Sequence, residues 1–410
     1  MSSVRRLLSG LLTACLAVWA CGAWGAELPV ASDPVFNALG IDGTTSSGRI
    51  SEFGAGGEVT LVSLDGIEKV IPLRMVVKLT REGRVFPQTP EASVVLFPGG
   101  DRLYRTAIGA ANETRLDLQS YTLGHLSVPL ESLLGLILSL PTDSESVDGL
   151  IFRVRKDPRN SEMIWLANGD NLSGGFLGLS DKTIELQTGK QAVRLDRSGV
   201  VAIGFDPGSV VYPAPEGGYI EATLTDGSRL GLSKLRMEHG RILAETRFGA
   251  AIKLPIADLA QFHSRTAAVA YLSEREPAGE RYVAYVGAPR PFRRDASAEG
   301  HMLRLTGQEY EKGIGTQSRT LLAYRLDAGD KRFQSMVGVD DRAGPLGNVV
   351  FRVLVDGKER FASPPLSARD APKLIDIDVS GAKTLVLVTE FGERGGVRDL
   401  ADWVEARLIR

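Results

Sequence analysis

The clearest alternation of apolar and polar positions lies in the last third of the chain. Residues 349–358 read VVFRVLVDGK, with Phe351, Val353 and Val355 falling between Val350, Arg352 and Leu354. A period of two sends successive side chains to opposite faces of a strand. Asp356-Gly357 then closes a hairpin, since both residues tolerate the positive φ of a tight turn. Ser380-Gly381 marks a second turn just before the apolar strand Thr384–Thr389. Short strands joined by such turns predict a β-sandwich here.

A different pattern fills the stretch from about Phe36 to His263. Its unit is a strand, an Asp/Gly turn, further strands, a Leu-Pro-like step and a closing apolar strand. Asp42-Gly43 leads to Ile71-Pro72, Gly100-Asp101 to Val128-Pro129, Gly169-Asp170 to Leu195-Asp196, and Asp226-Gly227 to Leu254-Pro255. Each step precedes an apolar run, as in Val200–Phe205. This is internal duplication of small antiparallel sheets or barrels, Sm-like in pattern. Uneven spacing between units favours a few paired modules over a solenoid or propeller. The segments Pro141–Asp148 and Tyr212–Gly218 read as surface connections.

The N-terminus has another character. Arg5 and Arg6 precede an uncharged run, Leu7–Ala26, that ends in small residues before Glu27. That order predicts a secretory signal, 1–25, cleaved after Gly25. A retained anchor is the alternative, because the run approaches the roughly 20 residues that span a bilayer. A lipobox-like Leu12–Cys15 is a third reading. Both cysteines, Cys15 and Cys21, lie inside this segment, so a cleaved chain has no disulfide and no thiol nucleophile.

Taken together the expected fold class is all-β: a C-terminal jelly-roll sandwich preceded by repeated small antiparallel β-modules. The expected divisions are β-modules over 36–140, a second pair over 150–265, and the sandwich over 271–410. The chain carries 48 basic and 50 acidic residues, a formal net charge of −2. No strong field follows, and nucleic acid is not expected as a partner.

Chemistry is sparse. The four histidines, His125, His239, His263 and His301, stand singly, without the i, i+4 pairing of a helix-borne zinc site. No nucleophile elbow, phosphate loop or dinucleotide fingerprint is present. An enzyme is not expected, although plentiful carboxylates leave a glycosidase pair open. The densest polar cluster is Asp340, Asp341, Asp399 and Asp402. It reads either as a sugar or calcium site, through hard oxygen ligands, or as turn caps on local backbone amides. Trp403 offers a ring for stacking on a sugar face. Alternation sets it opposite Val404, Ala406 and Leu408, and a packed core ring is the competing reading. Tyr324 and Phe391 read as packing residues.

Four motifs in the last third carry a resemblance. KGIGTQS at 312–318, the VGVDD of 337–341, VVFRVLVDGK at 349–358 and DLADWVEARL at 399–408 occur in that order. In kind and order they resemble the NPCBM family of carbohydrate-binding modules, over about Tyr271 to Arg410. The resemblance implies a galactose-binding-like jelly roll and a glycan or polysaccharide partner. It places Trp403, Asp402, Asp399, Asp340, Asp341 and Gln317 among the candidate ligand residues. Gln317 stands where the family usually has His, which puts any contact made through that His in doubt. No cofactor is expected beyond a structural calcium ion, which the carboxylates would suit. The implied protein is exported, to a periplasm, the cell envelope or the medium, and non-catalytic. The alternative is a cell-envelope structural protein with a protein partner and no sugar.

Overall fold

The computed structural model describes residues 33–54, 56–83, 93–141, 144–216, 218–265, 268–285 and 291–410. The expected signal segment lies outside them. None of the described helices is long and apolar enough to cross a membrane.

The fold is all-β, and the repeated pattern is four copies of one module. In the first, strands Val35–Gly40, Thr45–Gly54, Glu58–Val62 and Glu68–Pro72 follow in antiparallel order. A 3-10 turn, Leu73–Met75, then feeds Val76–Arg81, which pairs back onto the first strand. The same closure joins Val94–Leu96 to Gly135–Ile137, Glu162–Leu166 to Val200–Gly204, and Tyr219–Leu224 to Leu259–Arg265.

Two sequence features drive each module. In the first and fourth modules the opening turn is an Asx turn, in which an aspartate side chain satisfies the amide two residues on; Asn168 does the same in the third, and in the second Asp101 accepts instead from the distant Gly231 amide. Asp42 accepts from the Thr44 amide at 3.0 Å. Asp226 accepts from the Ser228 amide at 2.8 Å. The Leu-Pro-like step caps the 3-10 turn. Pro72, Pro129 and Pro255 precede three of these turns, with φ of −58°, −61° and −59°, the value that the pyrrolidine ring imposes. At the remaining turn, in the third module, Asp196 replaces proline and its side chain accepts from the Ser198 amide instead.

The modules pair in a nested order through their closing strands. Val76–Arg81 of the first lies antiparallel to Leu259–Arg265 of the fourth, with Phe262 opposite Leu79. Gly135–Ile137 of the second lies against Val200–Gly204 of the third. One apolar core runs through all four, including Phe36, Leu79, Leu116, Ile184 and Phe262.

The segment expected as a surface connection after Pro141 instead holds an α-helix, Ser144–Lys156. Val147, Leu150, Ile151 and Val154 recur at helical spacing and are buried against Val94, Ile137 and Trp165. Burial of that stripe over the seam between the second and third modules overrides the Ser-rich start.

The last third is the predicted sandwich. One sheet carries Gly313–Gln317, Leu400–Ile409, Arg332–Val339 and Lys373–Asp378; the other carries Thr320–Arg325, Thr384–Phe391, Val349–Val355 and Lys358–Ala362. The Asp356-Gly357 hairpin is present, with φ of +47 and +76 degrees, as a tight turn of this kind requires. Gly313 is needed for close approach, because a Cβ there would lie 2.6 Å from the Trp403 carbonyl. Strand Leu400–Ile409 is covered on both faces. A hairpin of Leu303–Leu305 and Gln308–Tyr310 lies outside it, and Leu303 and Leu305 pack on Val404.

Candidate functional site

Three crossings between the sheets meet at one end of the sandwich: 318–319 leaves Gly313–Gln317, 340–348 leaves Arg332–Val339, and 392–399 enters Leu400–Ile409. The DLADW and VGVDD motifs fall at this rim, so the candidate residues are neighbours in space. Their roles differ from one another.

Trp403 is 1% exposed. Its ring meets Phe351 edge-on at 5.2 Å, and its Nε1–H donates to the Thr389 hydroxyl at 3.0 Å. No sugar can stack on it. The reason lies two residues on. Glu405 has a positive φ and forms a β-bulge, where the register to Arg332–Val339 shifts. The extra residue of a bulge resets the alternation, so Trp403 shares the core with Ala406 and Leu408 while Val404 faces the outer hairpin.

The carboxylates hold the rim together. Asp340 accepts from the Arg342 amide at 2.8 Å and caps the 3-10 segment Asp341–Leu346. Asp341 accepts from the Thr306 and Gly307 amides at 2.8 and 2.7 Å, pinning the turn of the outer hairpin. Asp399 accepts from the Asn348 amide at 3.0 Å and from the Ser318 hydroxyl, tying two crossings together. Asp402 is fully buried, and burial together with the adjacent Asp340 pushes its carboxyl well above the usual carboxylate range, since both effects disfavour the charged form. Both of its carboxyl oxygens are buried without a hydrogen-bond partner among the described residues, and protonation would let one of them donate towards Asp340. Among the described residues no group of three or more His, Cys, Asp or Glu side chains is disposed to hold a metal ion. The capping reading thus accounts for Asp340, Asp341 and Asp399, and Asp402 and Trp403 are sealed in together.

Exposure at the rim belongs to other residues. Tyr285 is 65% exposed and packs edge-on against Phe391, with ring centroids 5.4 Å apart. Val283, two residues before it, exchanges backbone hydrogen bonds with Arg319 at 2.9 and 3.3 Å. That exchange fixes the tyrosine beside the 318–319 crossing. Its ring lies over Gly395 and Gly396, where a Cβ on Gly395 would come within 2.9 Å of Cε1. Arg319 Nε lies 3.0 Å from Glu390 Oε2. Gln317 is half-buried at the same crossing, and its side-chain amide has no hydrogen-bond partner among the described residues. The rim thus offers an open aromatic face, the Gln317 side chain and an ion pair. Sequence reasoning kept Gln317, passed over Tyr285, and treated Phe391 as packing. A tyrosine in an irregular segment carries no periodicity to reveal its exposure.

The model of the NPCBM/NEW2 domain family matches residues 269–409, which bears out the resemblance drawn from the four motifs. A curated relative, "Putative endo-alpha-N-acetylgalactosaminidase" of Renibacterium salmoninarum, is 26% identical over 157 residues, covering 35% of this chain and 10% of its own length. The chain thus spans a tenth of that relative. Among solved structures, the CBM51 of a Clostridium perfringens GH95 protein in complex with methyl-galactose is 28% identical, with 34% of this chain and 99% of that one covered and a TM-score of 0.32. The tandem CBM51 modules of the family 98 glycoside hydrolase of Streptococcus pneumoniae SP3-BS71 are 13% identical, with 91% and 88% covered and a TM-score of 0.31.

Proposed function

With residues 269–409 matched to the NPCBM/NEW2 domain, we propose that this is an exported, non-catalytic glycan-binding protein that takes saccharide at the rim of its C-terminal sandwich. The observation that carries this reading is Tyr285, an open ring braced on Phe391 at the same crossing as the half-buried Gln317. Apolar C–H faces of a sugar pack on an aromatic ring, while its hydroxyls pair with amide and charged groups nearby. The basic and apolar N-terminal segment supports export. Catalysis would need an acid and a base facing one substrate, and the rim carboxylates Asp340, Asp341 and Asp399 are spent on backbone amides and a hydroxyl.

A glycan array of the protein, with and without added calcium, tests the proposal. Wild type is expected to be retained on a subset of glycans, and Tyr285→Ala to lose at least tenfold in affinity with its melting temperature unchanged. Retention by Tyr285→Ala equal to wild type would move the site away from the rim. No retention on any glycan would favour the alternative, a cell-envelope protein whose sandwich contacts another protein.

A further inference from the structure

The nested pairing of the first and fourth modules creates a sheet face that the barrel core does not use. Leu79, Phe262 and Ala222 point into that core and are 0% exposed. Alternation sends their neighbours outward in two cross-strand rows. Lys78, His263 and Glu221 form one row, and Thr80, Gln261, Thr223 and Arg229 the other. The outer hairpin of the sandwich and the Glu405 bulge come down over this face. Between them lies a cavity of about 680 Å³ lined from both sides. Pockets of roughly 300–1,000 Å³ hold small ligands.

Its charge is unbalanced in one direction. Glu221 is shared by Arg229 and Arg265, at 2.7 and 2.6 Å. Glu311 is shared by Arg102 and Arg155. Glu405 lies 3.0 Å from Arg407 and 3.5 Å from His263. Half-buried Lys78 makes no hydrogen bond and no close ion pair among the described residues, and feels the charge of Glu405 only at longer range. At the mouth the acids are better matched: Arg304 meets Asp148 and Glu309, and Lys312 meets Glu274 and Asp295. The surplus is therefore interior. Donors are left over as well: among the described residues, the buried Nε of Arg229 and Arg265 and the Thr80 hydroxyl, all on lining residues, have no partner. A buried charge without a counter-ion is destabilising, and a bound anion relieves it.

We infer that this cavity is a second binding site, for a sugar-sized anion carrying carboxylate or phosphate oxygens, held by Lys78, Thr80 and the arginines that share Glu221. Planar guanidinium groups suit both oxyanions. The site is separate from the rim and stands whether or not the rim binds glycan.

Titration calorimetry on the whole protein in low-chloride buffer tests this, with glucuronate, glucose 6-phosphate and inorganic phosphate as probes and glucose as the neutral control. At least one acid is expected to bind, and glucose not to. Comparing glucuronate with the two phosphates tells which oxyanion is preferred. Lys78→Met is expected to weaken binding at least tenfold while raising the melting temperature, because a half-buried cation without a close counter-ion is removed. Thr80→Val, which changes no charge, is expected to weaken it about threefold. Tyr285→Ala is expected to leave it unchanged. No heat with any acid, equal binding of glucose, or full affinity in both Lys78→Met and Thr80→Val would overturn the inference.

Discussion

The rim of the sandwich and the cavity beneath its outer hairpin are both rich in charged residues, yet they use them in opposite ways. At the rim each of Asp340, Asp341 and Asp399 accepts hydrogen bonds from backbone amides, and the exposed surface is left to Tyr285 and Gln317. In the cavity the carboxylates answer guanidinium groups, each shared between cations, and donors remain unpaired. Polar residues that satisfy the backbone build a fold. Polar residues kept dry and unsatisfied mark a place where something else is needed. Most conspicuous motif residues fall in the first class here and unremarkable strand residues in the second; Asp402, whose oxygens are buried without a partner among the described residues, is the exception at the rim.

The largest expected effect breaks the comparison at the rim. Trp403→Ala removes a buried ring together with the donor to the Thr389 hydroxyl, so it is expected to cost about 4–5 kcal/mol. Urea unfolding measures it. A loss under about 1 kcal/mol with glycan retention abolished would return Trp403 to the ligand site. In the cavity, Glu221→Gln leaves Arg229 and Arg265 without their counter-ion and is expected to cost about 3–4 kcal/mol. An added anion that binds there is expected to recover part of that loss, which the same unfolding curves would show.

Particular residues show why some of this was legible in the sequence and some was not. The Asp356-Gly357 hairpin and the turns and 3-10 steps of the four modules, three begun by proline and one by Asp196, are local: each is set by residues adjacent in sequence. The helix over 144–156 was also local, in the spacing of Val147, Leu150, Ile151 and Val154, but the preceding PTDSES composition obscured it. Trp403 was harder. Its face depends on a bulge at Glu405, a non-glycine residue at positive φ that nothing in DWVEARL announces. The partner of Val404, the outer hairpin, lies about a hundred residues earlier in the chain. The cavity could not be read at all. Lys78, Arg229 and Glu405 meet only because the first module pairs with the fourth and the sandwich folds over both.

A smaller effect sharpens the cavity side through pH. Burial lowers His263 to about 4 in the folded state, with Lys78 and Arg265 acting in the same direction and Glu405 against them. The unfolded value is near 6.5. Between these values the unfolded chain binds a proton that the folded one does not, so this group's contribution rises with pH from about 4 to 6.5 and is lost as pH falls. Relative to His263→Gln, wild type is expected to gain about 2–3 kcal/mol across that window. Denaturant midpoints at pH 4.5 and 7 check it. Parallel pH curves for the two proteins would mean that folding leaves the His263 pKa unchanged, with Glu405 offsetting the burial; wild type losing ground as pH rises would mean that His263 is charged in the fold.

The smallest effect concerns Asp402, where the two regions differ most plainly in what a carboxyl group does. Burial and Asp340 hold it protonated well above the ordinary value of 3.8. Its contribution to stability is full below that value and is lost as pH rises, because the unfolded chain releases the proton and the folded one keeps it. Asp402→Asn retains the size and the donor to Asp340 without a proton to take up. It is expected to match wild type near pH 4 and to exceed it increasingly as pH rises, by at least about 1 kcal/mol at pH 7. Glutamine in place of Glu221 has the opposite outcome, since Glu221 is held at about 2 by Arg229 and Arg265 despite its burial. One amide substitution should therefore be tolerated at the rim, and the same chemical change should be damaging in the cavity. If Asp402→Asn instead destabilises increasingly as pH rises, its carboxylate is ionised, and an ionised buried acid beside Asp340 would require a cation between them.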